Sequence, residues 1–459
     1  MTASTKKGAA EGTDAGTAAA PVPDVPALDA DALLDDQDIR IVVCCGSGGV
    51  GKTTTAAALG VRAAERGRKV VVLTIDPARR LAQSMGIDSL DNIPRRVPGI
   101  DGEGAGELHA MMLDMKRTFD EIVEAHADGD RARAILENPF YQSLSAGFAG
   151  TQEYMAMEKL GQLRARNEWD LIIVDTPPSR SALDFLDAPK RLGSFLDGKF
   201  IKLLMAPAKM GGRAGMKFLN VGMSMMTGTL GKLLGGQFLR DVQTFVAAMD
   251  TMFGGFRTRA DATYKLLQAP GTAFLVVATP ERDALREAAY FVERLAAEEM
   301  PLAGLVLNRV HGSGAARLSA ERALAAAENL DDIGIVDQAA GKAGLRDPDG
   351  SAVTSPEDPE SPLSPARSAQ TEDPEHEPAS EPEAEAVSVE QLTAGLLRLH
   401  AERMQVVARE QHTRDRFTAL HPEVAVTEVA ALPGDVHDLA GLRAIGDRLA
   451  AGSAPAGAA

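Results

Sequence analysis

The sequence predicts an α/β fold, in which helices cover both faces of a mostly parallel sheet and a methionine-rich helical subdomain is inserted. Short apolar runs alternate with helical patterns along most of the 459 residues, which is typical of β-α-β units. The first run enters a glycine-rich loop. Several later runs end in Asp or Asn, as expected where the carboxyl ends of parallel strands share one edge of a sheet.

The glycine-rich loop lies in the segment IVVCCGSGGVGKTTT, residues 41–55. It matches the pattern G-x-x-x-x-G-K-[ST], which binds phosphates in P-loop NTPases. The glycines let backbone N–H groups converge on phosphate oxygens, and a helix beginning near Lys52 adds the positive end of its dipole. We therefore predict a P-loop NTPase sheet. The expected nucleotide-binding residues are Gly46, Ser47, Gly48, Gly49, Val50, Gly51, Lys52, Thr53 and Thr54.

This loop predicts a nucleoside triphosphate and Mg²⁺ as cofactors. Lys52 is expected to reach the β- and γ-phosphates and so to be catalytic, and the Thr53 hydroxyl is expected to ligate Mg²⁺. The alternative is a chance glycine turn. A strand before the loop and an Ala-rich helix after it argue against that alternative.

Two further runs end in acids. The run over 69–75 leads into Asp76-Pro77, where a carboxylate could orient or deprotonate an attacking water. An N-cap for the following turn explains this aspartate equally well from position alone. The run LIIVD ends at Asp175 and has the form of a Walker B element, whose carboxylate stands beside Mg²⁺ or its water shell.

The other elements follow from the same patterns. Asn308 follows one of the later strands at the same edge of the sheet, and the last strand enters a loop that contains Pro433. Expected strands lie at about 40–45, 108–113, 169–175, 273–278, 302–307 and 424–432. Expected helices lie at about 54–66, 239–268, 283–299, 315–330, 387–416 and 439–449.

Composition excludes several classes of protein. The net charge is −17, and residues 346–386 hold twelve acids against two arginines. The rest of the chain is therefore only mildly acidic and has no surplus of basic residues, which argues against nucleic-acid binding. No signal core or bilayer-length apolar run is present, so we expect a cytoplasmic protein without stable membrane insertion. The only cysteines, Cys44 and Cys45, are expected to be buried, inert thiols.

Residues 198–256 hold eight of the seventeen methionines together with many glycines. Methionine fills irregular cores, and it also suits surfaces that accept varied apolar partners. From the residues alone, a core role is somewhat favoured.

The domain organisation follows from these shifts in composition. The Pro-rich acidic segment is expected to interrupt one domain, because the last strand lies beyond it. The expected regions are a disordered tail (1–36), the first part of the ATPase core (37–197) with a helical insert (about 115–166), a Met/Gly-rich helical subdomain (198–268), the second part of the core (269–343), a disordered acidic insertion (344–386), the C-terminal part of the core (387–452) and a disordered tail (453–459).

Together, the motifs GSGGVGKTTT, TIDPARRL, IIVDTPPSRSALDFL, LVLNRV and LPGDVHDLAGL resemble the ArsA family, which comprises arsenite-pump ATPases and cytosolic ATPases that deliver tail-anchored membrane proteins. The resemblance covers most of residues 38–343 and 387–450. It implies that the nucleotide is ATP and that a dimer closes on two nucleotides, with Asp76 acting on the attacking water and Asp175 beside Mg²⁺ through a water. It also implies that Asn308 reads adenine, that the Pro433 loop flanks the base, and that the methionine-rich segment binds an apolar client or membrane protein.

The sequence departs from the family pattern at several positions. Ser47 stands where the family has a lysine that crosses to the partner's nucleotide, Ser181 replaces a histidine and Arg80 an asparagine. The family's zinc- and metalloid-binding cysteines are absent, which removes the chemical basis for arsenite transport. We therefore expect an ATPase in a homodimer, or in a heterodimer with a lysine-bearing ArsA-like paralogue. The alternatives are a nucleotide-binding scaffold with negligible hydrolysis and a partition-type relative.

Overall fold

The computed structural model describes most of the predicted core. The described residues are 26–76, 80–102, 104–139, 141–142, 151–177, 255, 258–341 and 388–451. They belong to two compact units, of which one is Gly312–Ala408 and the other holds the remaining residues.

One eight-stranded sheet organises the larger unit. The strand order is β3-β4-β2-β5-β1-β6-β7-β8, and every neighbouring pair is parallel except β3 and β4. This confirms the predicted fold class. The strands are β1 (Ile41–Cys45), β2 (Lys69–Thr74), β3 (Arg95–Arg96), β4 (Glu107–Met112), β5 (Leu171–Asp175), β6 (Thr272–Ala278), β7 (Leu302–Val310) and β8 (Val426–Ala430).

Helices cover both faces of this sheet. Neighbouring strand residues point to opposite faces, so Cys45 packs in one apolar cluster and Cys44 in the other. Both thiols are free and buried, as predicted. Taken over both units, the described helices are α1 (Ala30–Asp35), α2 (Lys52–Glu65), α3 (Arg80–Ser84), α4 (Met115–His126), α5 (Gly129–Leu136), α6 (Thr151–Arg166), α7 (Arg282–Ala297), α8 (Ala320–Gly341), α9 (Val389–Leu420) and α10 (Leu439–Ala451), of which α8 and most of α9 belong to the smaller unit.

The expected disordered tail over 1–36 is wrong at its end, because residues 26–36 are ordered. Helix α1 begins after Asp29, whose side chain accepts a hydrogen bond from the Ala32 N–H. Leu34 is fully buried in the cluster that includes α2. Ahead of α1, the Leu28 N–H donates to the Val426 carbonyl of β8. Burial and backbone pairing together hold this segment, which composition alone did not reveal.

Two further findings concern the edges of the sheet. Strand β3 was not predicted, because it is two exposed arginines long and its pattern carries no apolar signal. Strand β8 pairs in parallel with β7. The chain thus returns to the same sheet after residues 344–386, whereas Gly312–Ala408, which includes parts of the expected core segments 269–343 and 387–452, forms the smaller unit.

Several sequence predictions lie outside the described residues. These are the methionine-rich segment 198–254, Ser181, the acidic insertion and the end of the C-terminal tail. The side chain of Arg80 also lies outside them. Among the described helices, none combines the length and apolarity needed to cross a bilayer.

Candidate nucleotide site

The loop between β1 and α2 has the backbone that its glycines were expected to allow. Gly46, Gly49 and Gly51 have positive φ angles, whereas Gly48 does not. A Cβ on Gly46 would lie 2.1 Å from the Val277 carbonyl oxygen, and one on Gly51 would lie 2.2 Å from Nδ2 of Asn308. Glycine is therefore required at these two positions by close packing as well as by φ.

Lys52 is the first residue of α2 and is almost completely buried. Its Nζ donates a hydrogen bond to the Ser47 carbonyl oxygen at 2.7 Å, so the side chain folds back along the loop. Burial lowers the pKa of Lys52, and the nearby Asp175 carboxylate opposes that shift. The ammonium group therefore lies within the loop that is expected to hold phosphates.

Asp175 ends β5 and is fully buried at the same edge of the sheet. Its Oδ2 accepts hydrogen bonds from the hydroxyls of Thr53 at 2.7 Å and Thr74 at 2.8 Å. Desolvation raises the pKa of Asp175 to about 6, although both hydroxyls and Lys52 act in the opposite direction. Its Oδ1 has no hydrogen-bond partner in the described part of the chain.

Asp76 follows β2 on the neighbouring strand. Its backbone N–H donates to Oγ1 of Thr74 at 3.2 Å, so one hydroxyl contacts both acidic positions. Gln152, in the first turn of α6, donates to the carbonyl oxygen of Ile75 at 2.9 Å. Residues 77–79 lie outside the described residues, so the N-cap alternative for Asp76 stays open.

A cavity of about 920 Å³ extends from the loop toward the ends of β7 and β8. Asn308 and Pro433, both predicted at the site, line it together with Gly51 and Thr53. Asn308 is buried, and its Nδ2 donates to the Val50 carbonyl oxygen at 2.8 Å. The structure thus brings four of the predicted loop residues (Gly49, Gly51, Thr53 and Thr54), Asn308 and the loop after β8 to one cavity, whereas Lys52, Asp76 and Asp175 are not part of its lining.

Sequence reasoning missed three residues at this site. Thr74 contacts Asp175, and both Arg309 and His311 line the cavity. The Glu410 carboxylate accepts a hydrogen bond from the backbone N–H of His311 at 2.9 Å. The same carboxylate contacts Nδ1 of the His311 ring. Thr74 could have been found from its place at the carboxyl end of a strand, next to Asp76.

The polar groups at this site fit a nucleotide bound together with Mg²⁺. The unpartnered Oδ1 of Asp175, the Thr53 hydroxyl and the Lys52 ammonium stand together at the start of α2. The described residues contain no cluster of three or more His, Cys, Asp or Glu side chains suited to a metal. Mg²⁺ does not need such a cluster, because it binds through one or two protein groups together with phosphates and water.

The sheet, the loop and the Thr53–Asp175 pair define a P-loop NTPase. A model of the family described as "Anion-transporting ATPase" matches residues 39–322, which is more than half of the chain. The chain therefore belongs to the anion-transporting ATPase family, and that membership gives its enzyme class as ATPase.

The chain is also similar to curated fungal proteins named "ATPase GET3". Identity to the protein of Malassezia globosa is 29% over 160 residues, which cover 35% of this chain and 45% of that protein. Identity to the protein of Podospora anserina is 26% over 284 residues, covering 61% of this chain and 75% of the relative. The relative from Schizosaccharomyces pombe is 26% identical over 279 residues, with the same coverage of both chains.

Proposed function

We propose that this protein is a cytoplasmic Mg²⁺-dependent ATPase in which Asp76 acts on the attacking water and Asp175 stands beside Mg²⁺ through a water. The observation that carries the proposal is the Thr53–Asp175 hydrogen bond at 2.7 Å, beside a loop that encloses Lys52. That arrangement supports binding of a triphosphate with its metal. Asn308 and the Pro433 loop are the proposed adenine-binding groups.

The ATPase is further proposed to work as a dimer whose closure on two nucleotides drives the handling of an apolar client or membrane partner. Support comes from the resemblance to the ArsA family and from the similarity to proteins named "ATPase GET3". The methionine-rich segment is the proposed client-binding region, because flexible methionines suit varied apolar partners.

Ser47 motivates a more specific proposal. The family has a lysine at this position, and a hydroxyl cannot supply the cation that stabilises developing charge in phosphoryl transfer. We propose that this chain pairs with a paralogue that carries the lysine, which would give a heterodimer with unequal sites.

The test is ATP turnover by the purified chain with Mg²⁺, before and after Ser47→Lys. We expect slow turnover by the chain alone and a rate at least about tenfold higher for the variant, since a cation in this role changes rates by orders of magnitude. Ser47→Gln has similar length without the charge, so it should leave the rate low. Fast turnover by the unmodified homodimer that Ser47→Lys does not change would remove the heterodimer proposal.

A nucleotide-binding scaffold with negligible hydrolysis is the second candidate, and Ser47 is also the observation that favours it. A single-turnover assay with excess protein separates the two functions. Conversion of bound ATP to ADP that is lost in Asp76→Asn supports the ATPase. Binding without any conversion, with or without Ser47→Lys, supports the scaffold.

A further inference from the structure

Arg309 occupies a bulge at the end of β7. Asn308 pairs with Val429 of β8, and Val310 pairs with the next residue, Ala430, so Arg309 has no opposite residue. Its φ angle is 59°, in the left-handed region that non-glycine residues seldom adopt. Bulges next to active sites commonly redirect a side chain out of the ladder. Here Arg309 is one of the residues that line the 920 Å³ cavity.

The surrounding residues hold this conformation. The backbone N–H of Arg309 donates to Oδ1 of Asn308 at 3.0 Å, and Nδ2 of the same amide donates to the Val50 carbonyl oxygen. One buried amide thus joins the bulge to the phosphate-binding loop. The Arg309 side chain is exposed, and no carboxylate of the described residues forms an ion pair with its guanidinium. Strained backbone positions cluster at ligand-binding sites, so an unpaired guanidinium at such a position beside a cavity indicates a role in binding.

The order of strands indicates which end of a nucleotide Arg309 would meet. Asp175 and Thr74 end β5 and β2, which lie on one side of β1, whereas β6, β7 and β8 lie on the other side. Phosphates held by the loop after β1, with Mg²⁺ beside Asp175, leave the β7–β8 side of the cavity for the nucleoside. Arg309 lies on that side.

We propose that Arg309 binds the nucleobase of the bound nucleotide, through contact of its planar guanidinium with the aromatic face of the base. Arginine suits this role because its flat, weakly hydrated cation stacks on aromatic rings. The inference rests on the proposed nucleotide-binding function. The new element is the bulge, whose left-handed backbone positions Arg309. The protein therefore accepts a lower free energy of unfolding at a position that binds ligand.

The first experiment compares two ligands that differ in the base. Calorimetry measures binding of Mg²⁺–ATP and of Mg²⁺–tripolyphosphate, which has no nucleoside, to the full chain and to Arg309→Gln. Loss of a cation–aromatic contact predicts about fivefold to tenfold weaker ATP binding in the variant. Binding of tripolyphosphate should be unchanged. Arg309→Lys, which keeps the charge without the planar group, should recover only part of the loss.

A second pair of variants tests the strain. Arg309→Gly should raise the melting temperature while it weakens ATP binding, because glycine adopts this φ without cost. Glu299→Gly is the matched control, since Glu299 has a φ of 56° and is exposed at the end of α7, outside the cavity lining. It should also raise the melting temperature, but it should leave ATP binding unchanged.

The outcomes separate this inference from the proposed function. Equal weakening of ATP and tripolyphosphate in Arg309→Gln would place the guanidinium at the phosphates and overturn the assignment, as would no weakening of either ligand. Unmodified protein that binds neither ligand would overturn the proposed function itself. A rise in melting temperature for Glu299→Gly without one for Arg309→Gly would contradict the role given to strain.

Discussion

Thr74 is the residue through which the two acidic positions of the site meet. Its hydroxyl donates to Oδ2 of Asp175 at 2.8 Å and accepts from the backbone N–H of Asp76 at 3.2 Å. Since Asp175 is fully buried, each donor to its carboxylate offsets part of the cost of desolvation. Thr74 therefore stabilises a carboxylate that the proposed function needs in its charged form.

Thr74→Val should lower the free energy of unfolding by about 1–3 kcal/mol, the cost of removing a hydrogen-bond partner from a buried charged group. The two side chains have nearly the same shape, so little packing is lost. Chemical denaturation of the nucleotide-free protein measures the change. Thr74→Ser keeps the hydroxyl and should recover most of the stability. Unchanged stability in Thr74→Val together with a loss in Thr74→Ser would show that the methyl group, rather than the hydroxyl, matters.

The parts of the site that sequence predicted are those encoded locally. Gly46 to Thr53 form a continuous motif, and Asp175 ends a plainly apolar strand. Thr74 and Arg309 were missed because their roles depend on neighbours distant in sequence. Thr74 meets an aspartate 101 residues away, and the Arg309 bulge exists only where β7 pairs with β8. The hydrophobic periodicity of a single segment carries no information about contacts between residues so far apart in sequence.

At the scale of elements, α1 is held in place by three arginines that lie at the end of α2 and just after it. Arg62 of α2 forms an ion pair with Asp31, and Arg66, directly after α2, forms one with Asp35. Arg68 is buried, and its guanidinium donates to four carbonyl oxygens, which belong to Leu34, Asp36, Ile39 and Asp170. Surface pairs contribute little by themselves. The buried leucine and the arginine–carbonyl contacts therefore supply most of the attachment.

Leu34→Ala should destabilise the protein by about 2–4 kcal/mol, because it deletes a fully buried side chain and leaves a cavity. Leu33 is only partly buried on the same helix, so Leu33→Ala should cost distinctly less. Thermal or chemical denaturation of the full chain compares the two variants. A disordered segment would instead show no change in either.

Elements were predictable to the extent that burial gave them a strong pattern. The central strands lie within one or two residues of their expected bounds, since strands covered on both faces are continuously apolar. The edge strand β3 and helix α1 lack that signal. One has two exposed arginines, and the other has only one fully buried leucine within an acidic, Ala-rich stretch. Their order comes from tertiary contacts.

For the whole molecule, acidic groups respond to folding in opposite directions. Hydrogen bonds from arginines lower the pKa of Asp31, Asp35 and Asp91, so these residues stabilise the fold above their unfolded pKa values and lose that contribution as pH falls. Asp175 behaves in the reverse sense, because burial raises its pKa from 3.8 to about 6. The native protein holds this proton more tightly than the unfolded chain does.

Between about pH 4 and pH 6, the Asp175 contribution to stability should therefore fall as pH rises, by about 3 kcal/mol in total for a shift of this size. The other acidic residues also titrate over a similar pH range. The informative quantity is therefore the difference in unfolding free energy between the unmodified chain and a variant without the Asp175 carboxylate. Unfolding free energies of the nucleotide- and Mg²⁺-free protein should be measured across this range for the unmodified chain and for Asp175→Asn, which cannot titrate here. The unmodified chain should lose stability relative to Asp175→Asn as pH rises, and the difference should level off above pH 7. A constant difference would mean that Asp175 is charged in the native state throughout. Its burial would then be offset by Thr53, Thr74 and Lys52 more completely than their hydrogen bonds and distances indicate.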